Sequence, residues 1–590
     1  MSLLEGVANV LITYTPTPSW TFNASLNYQN PTGQQAFGGS FMFGPSPGSF
    51  NINELFVPIQ YHTYNFGTGV EYARNGWVLG FEYQGSFFRN VYDTVTWDNP
   101  DVWGNPAGPP GTCTNSVTYS PSAGTGPCQG RAAMYPDNQA HNFIVTGAGA
   151  LPYNTRVMGS AEYGFWLQDS PFLPLTTNTA LPRQSLQSVG ARTSLAGDVR
   201  PFFANLTFDS NPIEPLDLKA TYSYFDYDNV SPAISFNNVF SLNDVASTSS
   251  ATAYPYSFSQ QDIVLEPTYR FSETLAAHFT GRVTTLHNGG LEVFQQDETS
   301  YGPSIDWSPY QWLILRADYQ HAYRDSPGYN NNRESLLAQN AGGPELADLR
   351  RFDKATVRVD QTSFYTQVQP DEKVALFAGF SYDVYDYPDS DIGLRHTSSY
   401  GPSLGASYEP LPGMHFFADY SWQAYDWNLS SIQRTTDAQN PQNLPKAVWN
   451  SNGRNQGNNI DVGLDIAVPR NQLLRQPSHL KLQYTYTVGN SSVHNTGDTA
   501  NPGQATIYPD AGTQQDELLV QYEYEVLKNF SVNVGYYYTH FGTHDFSTDN
   551  LTNFMPTPGS TSTSYSTFLS NSTWQPYNAN VGYITLQYKF

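Results

Sequence analysis

From Gly582 to Phe590 the residues alternate without interruption between two characters. Gly582, Ile584, Leu586, Tyr588 and Phe590 fall on one side of an extended chain, and Tyr583, Thr585, Gln587 and Lys589 fall on the other. Such a ribbon has one face that water disfavours and one that water accepts. The pattern recurs upstream. Phe530, Val532, Val534, Tyr536 and Tyr538 alternate with Ser531, Asn533, Gly535, Tyr537 and Thr539. Leu480, Leu482, Tyr484, Tyr486 and Val488 alternate with Lys481, Gln483, Thr485, Thr487 and Gly489. These stretches run about 9–14 residues, the length a tilted strand needs to cross a hydrocarbon layer. Strands of soluble sandwiches run nearer five or six.

Ten hairpins follow from the alternation and its turn residues, with the last strand alone. The expected pairs are 10–14 with 20–28, 64–72 with 77–87, 142–150 with 156–166, 202–208 with 216–225, and 263–271 with 275–285. They continue as 300–307 with 312–323, 355–365 with 374–385, 400–408 with 414–425, 460–468 with 480–488, and 517–524 with 530–540. Asn75-Gly76 is a favoured two-residue hairpin turn, and Asn211-Pro212 is expected to turn the fourth pair. Long polar segments join one pair to the next. These features predict an all-β fold: one large antiparallel transmembrane β-barrel of about 22–26 strands, with short periplasmic turns and long extracellular loops. It occupies 1–590 as one outer-membrane domain. Tyr588 and Phe590 form the aromatic C-terminal signal that barrel-insertion machinery grips, on a strand expected to pair with the first. Twenty-one strands is odd for a fold with both ends in the periplasm. The expectation is a missing N-terminal strand, or an unseen one near 38–57. The opening MSLLEGVANV has no basic and then apolar leader, so it reads as a chain whose N-terminus has been removed or left out of the sequence.

Composition agrees. Mean hydropathy is −0.46 and no run approaches 18 apolar residues, which excludes a transmembrane helix but not a barrel, where only alternate residues are apolar. Aromatics make up 15%, enough to furnish two interfacial girdles. A net charge of −24 argues against a nucleic-acid partner. Cys113 and Cys128 share one Gly/Pro-rich loop, and a disulfide between them would contribute roughly 3 kcal/mol in the chain-entropy model and suit an oxidising compartment.

Lys219, Arg316 with Asp318, Arg358 with Asp360, Asp419 and Lys481 sit mid-strand in this reading. A charge facing lipid at mid-depth costs about 2–4 kcal/mol, so all seven are expected to face the lumen, where they are candidates for touching a partner. His321, His415 and His540 read as lumen or girdle residues, and the acids of 383–391 as solvated loop groups. No nucleophile elbow, zinc-protease helix or P-loop occurs, and no metal or catalytic site is expected. There is no Cys-x-x-Cys-His, so the chain carries no covalent haem of its own. A cylinder of about 22–26 strands is roughly 45–55 Å across, wide enough for a folded protein. No loop is long and apolar enough to plug it, so another chain is expected to fill it.

Several stretches carry a more specific signal: Phe88-Arg89-Asn90, Trp97-Asp98-Asn99-Pro100, Pro136-Asp137-Asn138-Gln139-Ala140-His141, Gln168-Asp169-Ser170-Pro171-Phe172-Leu173-Pro174 with Thr177-Asn178, and Leu181-Pro182-Arg183-Gln184-Ser185-Leu186. In this order they resemble the MtrB/PioB family of decahaem-cytochrome-associated outer-membrane barrels, most strongly over 61–232. The resemblance implies a barrel of about 26 strands. It would sheathe a periplasmic multihaem c-type cytochrome, with haem c carried by that partner, and an outer-surface multihaem cytochrome would dock on the loops. The chain departs from the family in lacking the N-terminal section and the Cys-x-x-Cys that some relatives carry there. The alternative is a large porin or solute channel. An outer-membrane enzyme has no nucleophile and base in a suitable context to support it.

Overall fold

The computed structural model describes residues 3–42, 50–99, 113–117, 126–181, 192–236, 239–240, 242, 244–247, 251–289, 292–330, 349–432, 448–468, 477–497, 508–527, 529–546, 554–556, 565–568 and 576–588. Among these, one main sheet holds 24 strands, three of them short (Leu349–Arg350, Phe554–Pro556 and Tyr565–Phe568). The remaining long strands are those the alternation predicts. They begin with β1 (Leu3–Thr17), β2 (Trp20–Met42), β3 (Phe50–Arg74), β4 (Trp77–Asn90), β5 (Asn138–Leu151), β6 (Thr155–Gln168) and β7 (Gly197–Ile213). Next come β8 (Leu216–Asn229), β9 (Ser257–Ser272), β10 (Leu275–Gly289), β11 (Gln295–Tyr310), β12 (Leu313–Asp325), β13 (Val357–Asp371) and β14 (Val374–Asp386). The last are β15 (Ile392–Leu411), β16 (Met414–Ile432), β17 (Val448–Val468), β18 (Ser478–Gly497), β19 (Ala511–Leu527), β20 (Phe530–His544) and β21 (Tyr577–Tyr588).

Each long strand pairs antiparallel with its sequence neighbours, from β1–β2 through to β20–β21. Substantial contacts between long strands are confined to these hydrogen-bonded pairs, so the wall is one layer thick. The ends of the sheet come round to each other. Thr567 and Phe568, in the loop before β21, bridge in parallel to Ile52 and Asn53 of β3. Among the described residues β21 pairs only with β20, and no ladder joins it to β1. Both edges run toward the short-turn end, so a direct ladder between them would be parallel, unlike every other long pairing. Among the described residues near 38–57 there is no separate strand, because β2 and β3 extend to Met42 and Phe50 and pair there.

Turn chemistry sets one end. Asn75 and Gly76 take φ of 51° and 81°, the left-handed pair that a tight hairpin turn requires. Tyr153 and Asn154 do the same between β5 and β6, at 62° and 52°. The fourth hairpin turns at Glu214-Pro215 rather than at Asn211-Pro212. Asn211 instead spans the turn, donating from Nδ2 to the Leu216 carbonyl at 3.2 Å and to Asp217 at 2.5 Å.

Register assigns the faces. Leu482 lies between Leu464 and Val520, and Tyr484 between Val462 and Leu518, so one face is continuously apolar and aromatic. A diagonal hydrogen bond recurs on that face. A tyrosine hydroxyl reaches a polar side chain on the next strand, one row nearer the long loops: Tyr28 to His62 (2.8 Å), Tyr83 to His141 (2.7 Å), Tyr319 to Asp360 (2.6 Å), Tyr420 to Asn458 (2.9 Å), Tyr484 to Asp516 (2.7 Å) and Tyr538 to Asn578 (3.0 Å). Trp20, Tyr72, Trp77, Tyr269, Trp307, Tyr408 and Tyr524 form the matching aromatic belt near the short turns. Two belts with amphipathic tips bracket an apolar band, as a membrane-spanning barrel requires.

Leu482→Arg, at the centre of this band, is expected to lose about 2–4 kcal/mol of stability, whereas Ser223→Arg on the polar face loses little. Chemical unfolding of the two variants in lipid vesicles checks the difference, and a larger loss from Ser223→Arg would mean that the faces are reversed.

Candidate functional site: the lumen wall and the outer loops

The polar face lines the bore. Its charges are laced across β8 to β13. Lys219 pairs with Glu266 at 2.7 Å and Arg282 with Asp262 at 2.8 Å. Arg270 pairs with Asp217. His278 contacts Asp306 at 3.0 Å, and Arg316 reaches Asp306 and Asp318 at 3.6 and 3.2 Å. Ser363 donates to Asp318 at 3.1 Å. The side chains of Lys219 and Arg316 keep 49% and 51% of their surface open, so no described part of the chain is packed over them as a plug.

Five of the seven expected lumen charges lie on this face: Lys219, Arg316, Asp318, Asp419 and Lys481. Asp419 stands directly opposite Asp461, and Lys481 opposite Asp465. Arg358 and Asp360 are on the other face, sharing it with Phe364. β13 begins at Val357, so these two sit at the outer end of the strand, not at its middle. There Asp360 accepts from Tyr319 and meets His321 at 2.8 Å, while Arg358 lies 6.0 Å from the Tyr323 ring. A charge above the hydrocarbon avoids the desolvation that forces mid-strand charges inward. His321 and His540 belong to the outer belt, and His415 faces the lumen.

Above the wall, the family-like stretches fold into a loop cluster. Trp97 and Asp98 lie in a short strand (Thr94–Asp98) paired with Gln129–Ala133. Asn99, 1% exposed, donates from its backbone to the Cys128 carbonyl at 2.9 Å and from Nδ2 to the Pro127 carbonyl at 3.0 Å. Cys113 and Cys128 are joined in a disulfide across 15 residues. Asp137 accepts from Arg89 at 2.7 Å and from the Asn90 amide at 2.8 Å, and Asn138 donates to the Pro136 carbonyl at 3.2 Å. His141 faces outward in the belt. Tyr588 pairs with Phe530 on the apolar face. Pro100, 182–186 and Phe590 lie outside the described residues.

Sequence reasoning missed the anchor of this cluster. Asp244, 3% exposed, accepts through Oδ2 from the hydroxyls of Thr176 (2.7 Å) and Thr177 (2.9 Å) and from the amides of Thr177 (2.8 Å) and Asn178 (3.1 Å). It locks the loop before β9 to the loop after β6. A second cluster gathers over β10 to β15, where Arg351 pairs with the buried Glu292 at 3.1 Å and Ala355, Val357 and Tyr387 form an apolar core. Among the described residues neither cluster gathers three or more His, Cys, Asp or Glu side chains that could share a metal ion.

A family model described as "Putative outer membrane beta-barrel porin, MtrB/PioB" matches residues 8–590. The chain belongs to the MtrB/PioB family of outer-membrane β-barrels. It is 21% identical over 546 residues to the outer membrane protein MtrB of Shewanella baltica, covering 90% of this chain and 68% of that protein. Its fold is similar to that of the FrpB iron transporter of Neisseria meningitidis, with a TM-score of 0.52 at 10% identity over 99% of this chain and 79% of that one. The MtrB/PioB chain is therefore an outer-membrane protein, and the belted face is its lipid contact.

Cys128→Ser, or reduction of the wild type, is expected to speed protease cleavage within 113–135 on intact cells and to leave the unfolding midpoint of the barrel unchanged. The clamp closes a loop outside the ladder, so its roughly 3 kcal/mol acts locally. A fall in the barrel midpoint would contradict this.

Proposed function

We propose that this barrel is the non-enzymatic sheath of an electron conduit. It holds a periplasmic multihaem c-type cytochrome in its bore, and electrons cross the outer membrane by hopping between that partner's haems. The observation that carries the reading is an open, charge-lined bore in a one-layer cylinder of an MtrB/PioB family member. A vacant hole of this width would abolish the permeability barrier, and the described residues supply no plug. The likeness to MtrB supports a cytochrome as the occupant. The 590 residues contain no Cys-x-x-Cys-His, so the haem c belongs to the partner. The outer loop clusters, prefolded around Asp244 and Glu292, offer an outer-surface multihaem cytochrome a firm platform. The barrel contributes position and insulation, and its partners otherwise are lipid.

A second reading, a large porin or solute channel, is favoured by the hydrated, half-exposed charges of the wall. The barrel purified from native outer membranes in mild detergent separates the two. The expected result is a red complex with c-type haem absorbance and little ion conductance in planar bilayers. A colourless barrel that conducts freely would establish the porin.

A further inference from the structure

The two halves of the polar wall treat their carboxylates differently. Across β8 to β13, Glu266, Asp262, Asp217, Asp306 and Asp318 each have a cationic or histidine neighbour in the wall itself. Across β14 to β20 the donors to Asp383, Asp461 and Glu517 are neutral. Asp383 accepts from Ser399 at 3.0 Å. Asp461 accepts from Gln483 at 2.9 Å and Thr485 at 3.1 Å, and Glu517 accepts from Gln515 at 2.7 Å and Tyr537 at 2.5 Å. Asp419, Asp461, Thr485 and Glu517 stand in one register row. Lys481 and His479 are on the same arc, lower down, flanking Asp465.

Directly above that row the wall is hollow. A concavity of about 730 Å³ is lined by Ser399, Ser421, Asn459, Thr487, Gly489 and Thr513, all on the lumen face. The register repeats small residues here: Gly457 meets Gly489, and Gly489 meets Thr513. Bare backbone and short hydroxyl side chains leave room for long side chains to enter from the bore. An anionic or apolar surface laid here would strip water from carboxylates that have no counter-charge, which is costly. Lysine and arginine side chains would replace that water with ion pairs.

We propose that the lumen face of β15 to β20, the hollow together with Asp419, Asp461 and Glu517 at its lower edge, is the docking face for a lysine- and arginine-bearing surface of the protein that fills the bore. The occupant is thus seated off-centre, against one arc of the wall. This rests on the conduit reading above and adds to it where the partner sits and what charge it presents.

Two measurements on the complex isolated from native membranes test it. A photo-crosslinking residue replaces Thr487 in the hollow, or Thr221 on the opposite arc, one at a time. The expected result is a haem-staining adduct from position 487 at least tenfold above that from 221. Separately, Asp419→Asn, Asp461→Asn and Glu517→Gln combined are expected to lose haem about tenfold faster than wild type when salt is raised. Equal adducts from both positions would overturn the proposal, as would unchanged haem retention in a triple variant that inserts normally. If that variant does not assemble, the crosslinking comparison decides alone. A wild-type barrel that carries no haem overturns the conduit reading first, and this one with it. A haem-bearing wild type with no preference between arcs overturns only the docking face.

Discussion

In a hydrocarbon layer no water completes the hydrogen bonds of the backbone, and here only the neighbouring strand does so. The molecule follows from that restriction. The wall is one sheet thick, each long strand bonded to the next, and it has no interior of the ordinary kind. Its apolar side chains bury themselves in lipid, not against one another. Most of the deeply buried side chains in the described structure, Asn99, Val293, Asn288 and Ala355 among them, sit in the outer loops or at the outer strand ends. Packing as soluble proteins know it is confined to the cell-surface end.

The charges of the bore are a matter of chemistry more than stability. Lys219–Glu266 and Arg282–Asp262 each leave one partner half exposed to water, and pairs of that kind contribute about 0–1 kcal/mol. Their effect is to fix what the wall looks like to a visitor: self-neutralised over one half, anionic over the other. The Asp244 and Glu292 anchors differ because they are buried, Asp244 taking four hydrogen bonds through Oδ2 and Glu292 pairing with Arg351. They hold segments that have no ladder to hold them.

The hairpins were legible because two-residue periodicity and aromatic ends are strict wherever lipid meets the wall. Every predicted pair is present. The limits were less legible, and for one reason. Above the lipid the ladder continues but the alternation is released, so Asn490, Ser491 and Ser492 extend β18 without an apolar signal. The same release misplaced Arg358 and Asp360. They have the parity of Phe364, yet lie high enough on β13 to be charged on the outer face. Asn211-Pro212 carries turn residues, but the bend falls three residues later, at Glu214-Pro215, because Asn211 serves the turn through its side chain. Asp244 gave no local sign, since its donors are 66–68 residues away. The acid row of Asp419, Asp461 and Glu517 became visible only when register aligned three strands.

Strand length adds an asymmetry to the mouth of the pore. From Tyr28 in the outer belt, β2 continues to Met42, and β3 accompanies it down from Phe50. Those fourteen residues rise about 45 Å along the strand, or about 35 Å above the belt once tilt is allowed for. β16 to β18 also climb well past the belt, whereas β14 stops at Asp386. The rim is therefore built in two ways: paired strand stands tall at β2 and β3, while over β10 to β15 the loop cluster around Glu292 takes the place of the ladder.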